Sequence, residues 1–84
     1  MVKRVAYLRR CGSFPGGIPI ETDGEWEGVI RTILSVDSVV IDGGCSDPDA
    51  SLIAFLARLL DREVYWMGQR PEGLLAKLVT GRLQ

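Results

Sequence analysis

The chain has 84 residues, 46% of them hydrophobic and 25% charged, a length that builds one core and therefore one domain over residues 1–84. No apolar run approaches the roughly 20 residues that a membrane span requires. Ten basic against eleven acidic residues leave a net charge of −1, which exerts no general pull on a phosphate backbone and argues against nucleic acid as a partner.

The chain contains no histidine, so the usual general base near neutral pH and the commonest metal ligand are missing. Catalysis by serine–histidine or cysteine–histidine pairs is excluded within the chain. Its two cysteines cannot complete a four-ligand structural zinc site, and neither a metal nor a cofactor is expected. The first eight residues carry two basic side chains but only Val5-Ala6-Tyr7-Leu8 before Arg9 and Arg10, too short for a signal-peptide core. A cytoplasmic location is therefore expected. The basic residues Lys3, Arg4, Arg9 and Arg10 read as a solvated rim guarding a strand.

Residues 2–8 form a short apolar segment rich in β-branched and aromatic types and predict a first strand. Residues 11–20 hold Gly12, Pro15, Gly16, Gly17 and Pro19, enough breakers to predict a long irregular loop. Thr22-Asp23-Gly24-Glu25 matches a capping box, predicting a helix that starts at Thr22 and packs through Trp26, Val29, Ile30, Ile33 and Leu34.

Val39-Val40-Ile41, ended by Asp42, reads as a central parallel strand covered on both faces. After the Gly43-Gly44-Cys45-Ser46 turn, Asp47 and Pro48 read as an N-cap followed by proline in the first helical position. The predicted second helix covers residues 48–60. Its apolar set of Leu52, Ile53, Phe55, Leu56, Leu59 and Leu60 is wide enough to predict burial on two sides. Residues 64–67 give a third strand, and Pro71 opens a last amphipathic helix with Leu74, Leu75, Leu78 and Val79, stopped by Gly81.

This alternation predicts an α/β domain of small three-layer Rossmann-like or flavodoxin-like type, with a short, mainly parallel sheet of about three strands. So small a domain gains from association, and Trp26, Tyr65 and Trp66 are available for a contact; a homodimer is expected.

Open parallel sheets bind ligands at the carboxyl ends of their strands. Those ends carry Arg9, Arg10, Cys11, Gly12 and Ser13, then residues 42–47, then Gly68, Gln69 and Arg70. Asp42 and Asp47 are the candidate catalytic groups and suit sugar hydroxyls as acceptors. The Gly43-Gly44 turn allows close approach of its amides. The expected ligand contacts are Tyr7, Arg9, Gly12, Ser13, Asp42, Gly43, Gly44, Ser46 and Asp47. Asp47 with Asp49 also has the look of an acidic pair for magnesium, but a first-turn carboxylate at Asp49 is favoured by the helix dipole alone. The same dipole and capping argument gives Asp47 a purely structural role as an alternative. Cys11 and Cys45 form a conceivable redox pair if their Cα atoms come within about 7 Å, with free thiols the expected state in a cytoplasm.

Tyr7-Leu8-Arg9 at one strand end, Asp42-Gly43 at another, and the stretch from Asp47 through Ile53 to Tyr65 together resemble the nucleoside 2-deoxyribosyltransferases. The resemblance covers residues 38–65 and, more loosely, 5–8. It implies a Rossmann-like fold, a nucleoside or nucleotide ligand, and a site completed by neighbouring subunits. It places the family's nucleophilic glutamate on Ile53, which cannot attack an anomeric carbon. The function so implied is that of a nucleoside- or nucleotide-binding domain without the family's transferase activity; if an enzyme, it would be an N-glycoside hydrolase or transferase. The alternative is a non-catalytic phage or bacterial interaction module on the same fold.

Overall fold

The computed structural model describes residues 4–83; Val2 and Lys3, the predicted start of the first strand and part of the basic rim, lie outside the described residues. In chain order the elements are β1 (Val5–Leu8), a 3-10 turn (Arg9–Cys11), β2 (Ile18–Ile20), α1 (Trp26–Leu34), β3 (Ser38–Asp42), α2 (Pro48–Leu59), β4 (Glu63–Met67), α3 (Gly73–Leu78) and β5 (Gly81–Arg82). The strands form one sheet in the order β2-β1-β3-β4-β5, and every neighbouring pair is parallel. The fold is α/β with a parallel sheet and three helices, as the alternating pattern predicts. No helix among the described residues is long and apolar enough to cross a membrane.

The sheet has five strands where the sequence predicts three. Both additional strands lie at edges. β2 runs through Pro19, a breaker in a central strand but tolerable where one side of the strand needs no ladder donor. β5 starts at Gly81, the expected helix stop, and is held from the previous residue. The Thr80 hydroxyl accepts from the Val64 N–H at 3.0 Å, while the Thr80 N–H donates to the Val64 carbonyl at 2.6 Å.

Topology decides where the helices go, and it corrects the expected three layers, because only one face of the sheet carries helices. The connections from β2 to β3, β3 to β4 and β4 to β5 all advance in the same direction across the sheet, so right-handed crossovers carry α1, α2 and α3 to one face. Burial agrees. Strand residues alternate faces, and Ala6, Leu8, Val39, Ile41 and Val64 join one core with Val29 and Ile33 of α1, the α2 residues Ala50, Ile53, Ala54 and Ala57, and Leu75 of α3. The connection from β1 to β2 runs the opposite way. Its loop supplies the cover on the second face, where Tyr7, Val40 and Tyr65 stand in register. A Cβ at Gly17 would lie 2.9 Å from Tyr7 Cδ1 and 3.1 Å from Phe14 Cδ2, so this loop packs on Tyr7 only because residue 17 has no side chain.

Two helix expectations are corrected. α1 starts at Trp26 with Glu25 as its N-cap and no side-chain cap; the Thr22 hydroxyl is buried without a hydrogen-bond partner. The capping box fails because residues 21–25 are spent turning the chain off the edge strand. α2 packs through its small residues Ala50, Ala54 and Ala57 with Ile53, while Leu52, Phe55 and Leu59 remain exposed at 42%, 48% and 64%. Alanines let the helix axis approach the sheet closely, and a layer with helices on one face only leaves their outer side uncovered. Burial of α2 on two sides therefore does not occur in the single chain.

Candidate functional site

β1 leaves the sheet towards β2 and β3 leaves it towards β4, so the switch point lies between the carboxyl ends of β1 and β3. A crevice at that point is the ordinary ligand position of an open parallel sheet. One wall is the 3-10 turn Arg9–Cys11 and the other is the turn from β3 into α2.

A disulfide crosses this crevice. Cys11 and Cys45 are bonded, with Cα atoms 5.5 Å apart, so the expectation of free thiols is corrected. Its physical cause is register: Tyr7 stands beside Val40, and parallel neighbours run about 4.8 Å apart, which brings the residues just beyond the two strand ends face to face.

The β3–α2 turn is fixed by backbone contacts. Asp42 Oδ1 accepts from the Gly44 N–H at 2.8 Å, and the Gly43 N–H donates to the Met67 carbonyl at 3.0 Å. A Cβ at Gly43 would stand 1.8 Å from the Gln69 carbonyl oxygen and 2.9 Å from the Pro71 ring, so only glycine fits there. Asp47 is the N-cap of α2, and its Oδ1 accepts from the Asp49 N–H at 2.9 Å. Both candidate carboxylates thus spend one oxygen on the backbone.

Arg10 lies among three acids. It bonds Asp23, and its Nη1 is 3.6 Å from Asp47 Oδ2 and 4.0 Å from Asp49 Oδ2. The hydrogen bond to Asp23, and then the charge of that carboxylate, hold the Arg10 guanidinium protonated above its ordinary range. An arginine therefore occupies the place that the magnesium-pair reading of Asp47 and Asp49 would give to a cation. Arg9 turns away to Glu21 at 2.6 Å.

Two cavities flank the disulfide and share Gly44, Cys45, Ser46 and Gln69. The larger, about 530 Å³, is completed by Arg10, Cys11 and Asp42. The smaller, about 260 Å³, reaches Asp47, Ser51, Arg70 and Glu72. Of the predicted contacts, Asp42, Gly44 and Ser46 line the first, and Gly43, Gly44, Ser46 and Asp47 the second. Tyr7, Gly12 and Ser13 meet Asp42 only around a gap of about 10 Å³ on the loop side, too small for a ligand, and Arg9 lines neither cavity. Arg10, Gln69 and Arg70 stand at strand ends, where the topological rule finds them, yet they lie outside the expected contacts. Ser51 and Glu72 carry no sequence signal beyond Ser51 lying one helical turn after Asp47.

Ile53, the position of the nucleophile in the resembling family, is completely buried. Comparison with protein-family models, curated proteins and solved structures finds no match for the chain.

Proposed function

We propose that this protein binds a nucleoside or nucleotide at the switch-point crevice without turning it over. The observation that carries the proposal is the pairing of cavity and chemistry. A space of about 530 Å³, within the usual range for small-molecule sites, opens at the end of β3 and continues into a second beneath the α2 N-terminus. Arg10 and Arg70 supply donors for phosphate, Asp42 and Asp47 supply acceptors for ribose hydroxyls, and Ser46 and Gln69 supply both. Against turnover stand the buried Ile53 and the lack of histidine; Asp42 and Asp47 are held by backbone amides and serve as binding groups.

The proposed compartment is the cytoplasm and the proposed assembly a homodimer. The exposed α2 stripe Leu52, Phe55 and Leu59 gives association an apolar surface beyond the aromatic residues that the sequence offers. The second reading, a non-catalytic interaction module, is favoured by one observation: each candidate carboxylate already satisfies a backbone donor.

A thermal-shift panel of nucleosides, nucleotides and deoxyribonucleotides tests the first reading. A ligand at a hundred times its dissociation constant adds about 2.7 kcal/mol, which is a rise of roughly 10–20 °C for a domain of this size. Loss of that rise in Asp47→Asn is the expected result. No shift with any member of the panel would refute nucleotide binding and leave the interaction module.

A further inference from the structure

The Cys11–Cys45 bond lies across the crevice, and the fold does not need it to keep the two strands together. β1 and β3 are already paired through Val5 with Ser38, Ala6 with Val39 and Tyr7 with Val40. Cutting the bond therefore leaves both sulfurs within bonding reach, ready to re-form it. Both cysteines are half-buried, packed against the core on one side and lining the larger cavity on the other, so the disulfide borders a space that a small thiolate can enter. Both lie in turns outside the regular elements of the sheet. Gly12, at φ 140°, follows Cys11 and gives that side room to shift, while the turn that carries Cys45 is held by its backbone contacts.

Two features of the surroundings favour a leaving thiolate. Cys45 stands two residues before Asp47, the N-cap of the 12-residue helix α2, and Cys11 follows Arg10. A helix N-terminus and a neighbouring guanidinium both stabilise a thiolate; Asp47 and Asp49 act in the opposite sense, and Arg10, which is bonded to Asp23 and faces both, offsets them only in part.

We propose that Cys11–Cys45 is a thiol–disulfide exchange site for a dithiol, with β1 and β3 held together by their own pairing while the bond opens and closes. The incoming thiolate attacks Cys11 Sγ, forming a mixed disulfide. The S–S bond breaks, and its electron pair leaves on Cys45 Sγ, at the helix end. The second thiolate of the dithiol then attacks its own sulfur in the mixed disulfide and releases Cys11. Two electrons and two protons pass from the dithiol to the protein, and the dithiol closes to a disulfide. This device also removes a conflict, because disulfides in a cytoplasm are mostly transient and redox-active. It stands without the nucleotide reading, since its test contains no nucleotide.

The test is reduction of the native protein by dithiothreitol, quenched at intervals by an alkylating reagent and counted by mass spectrometry, with a parallel series in guanidinium. The expected result is native reduction within about tenfold of the denatured rate, retention of the far-UV circular dichroism spectrum, and return of the bond on mild oxidation. Native reduction more than about a hundredfold slower, as for a staple reached only by global unfolding, would overturn the proposal. Loss of the helical spectrum on reduction would overturn it equally.

Discussion

Replacing both Cys11 and Cys45 with serine removes a cross-link between residues 34 positions apart. In the chain-entropy description, closing a loop of that length takes about 13 cal/mol/K from the unfolded ensemble, which is about 4 kcal/mol at 25 °C. A domain of this size has a total stability of roughly 4–12 kcal/mol, so the change is a large fraction of the whole. At about 4–8 °C per kcal/mol, the melting temperature falls by about 15–30 °C. Because the effect lies in the unfolded state and the β1–β3 ladder is independent of the bond, the molecules that remain folded at low temperature keep the native signals. Thermal unfolding by far-UV circular dichroism gives the loss, and the near-UV spectrum at low temperature checks the native packing. A fall of less than about 5 °C would refute the entropic account. A near-UV spectrum already collapsed before melting would show that the bond holds the native structure itself.

Three further outcomes are expected. Asp47→Ala loses the N-cap acceptor for the Asp49 N–H and costs about 1 kcal/mol in urea unfolding, whereas Asp47→Asn keeps the cap and costs a few tenths; equal losses would show that capping is not what Asp47 does. The Tyr65 hydroxyl donates to Glu63 Oε2 at 2.5 Å, and this hydrogen bond, with desolvation and the nearby charge behind it, raises its pKa above the ordinary value. The proton is therefore held more tightly in the folded chain. The associated stability is fully present below the tyrosine value of about 10 and is lost as pH rises through the higher folded value. In a Tyr7→Phe background, ultraviolet titration of tyrosinate should show Glu63→Gln lowering the Tyr65 transition, and an unchanged midpoint would contradict the bond. Phe55→Glu places a charge in the centre of the exposed α2 stripe and should convert a dimer to a monomer in sedimentation equilibrium; a wild-type monomer at all concentrations would remove the homodimer.

The alternation of short β-branched runs with amphipathic segments made the α/β class, α2 with its Asp47 cap, and the central strand β3 legible from the sequence pattern alone. Local pattern failed at the edges. β2 was hidden by Pro19, because an edge position forgives what a central one does not, and β5 by Gly81, which serves equally to end a helix or begin a strand. The Thr22–Glu25 box met the rule for a helix start, yet the turn out of β2 consumed it. Large apolar side chains on α2 suggested burial, but close packing on a sheet selected alanines, a choice that depends on layer spacing. The candidate site was legible as a place, the strand ends, more than as a set of side chains. That Cys11 meets Cys45 depends on β1 lying beside β3, which is a property of strand order and not of any local stretch.

The most direct test of the central claim is a nuclear magnetic resonance titration of the isotopically labelled protein with nucleoside monophosphates, following every backbone amide. Nucleotide binding at the switch point predicts saturable shifts at Gly43, Gly44, Cys45, Ser46 and Gln69, with the outer face of α2 unmoved. Shifts absent at millimolar ligand, or confined to the helix around Leu52, Phe55 and Leu59, would contradict it.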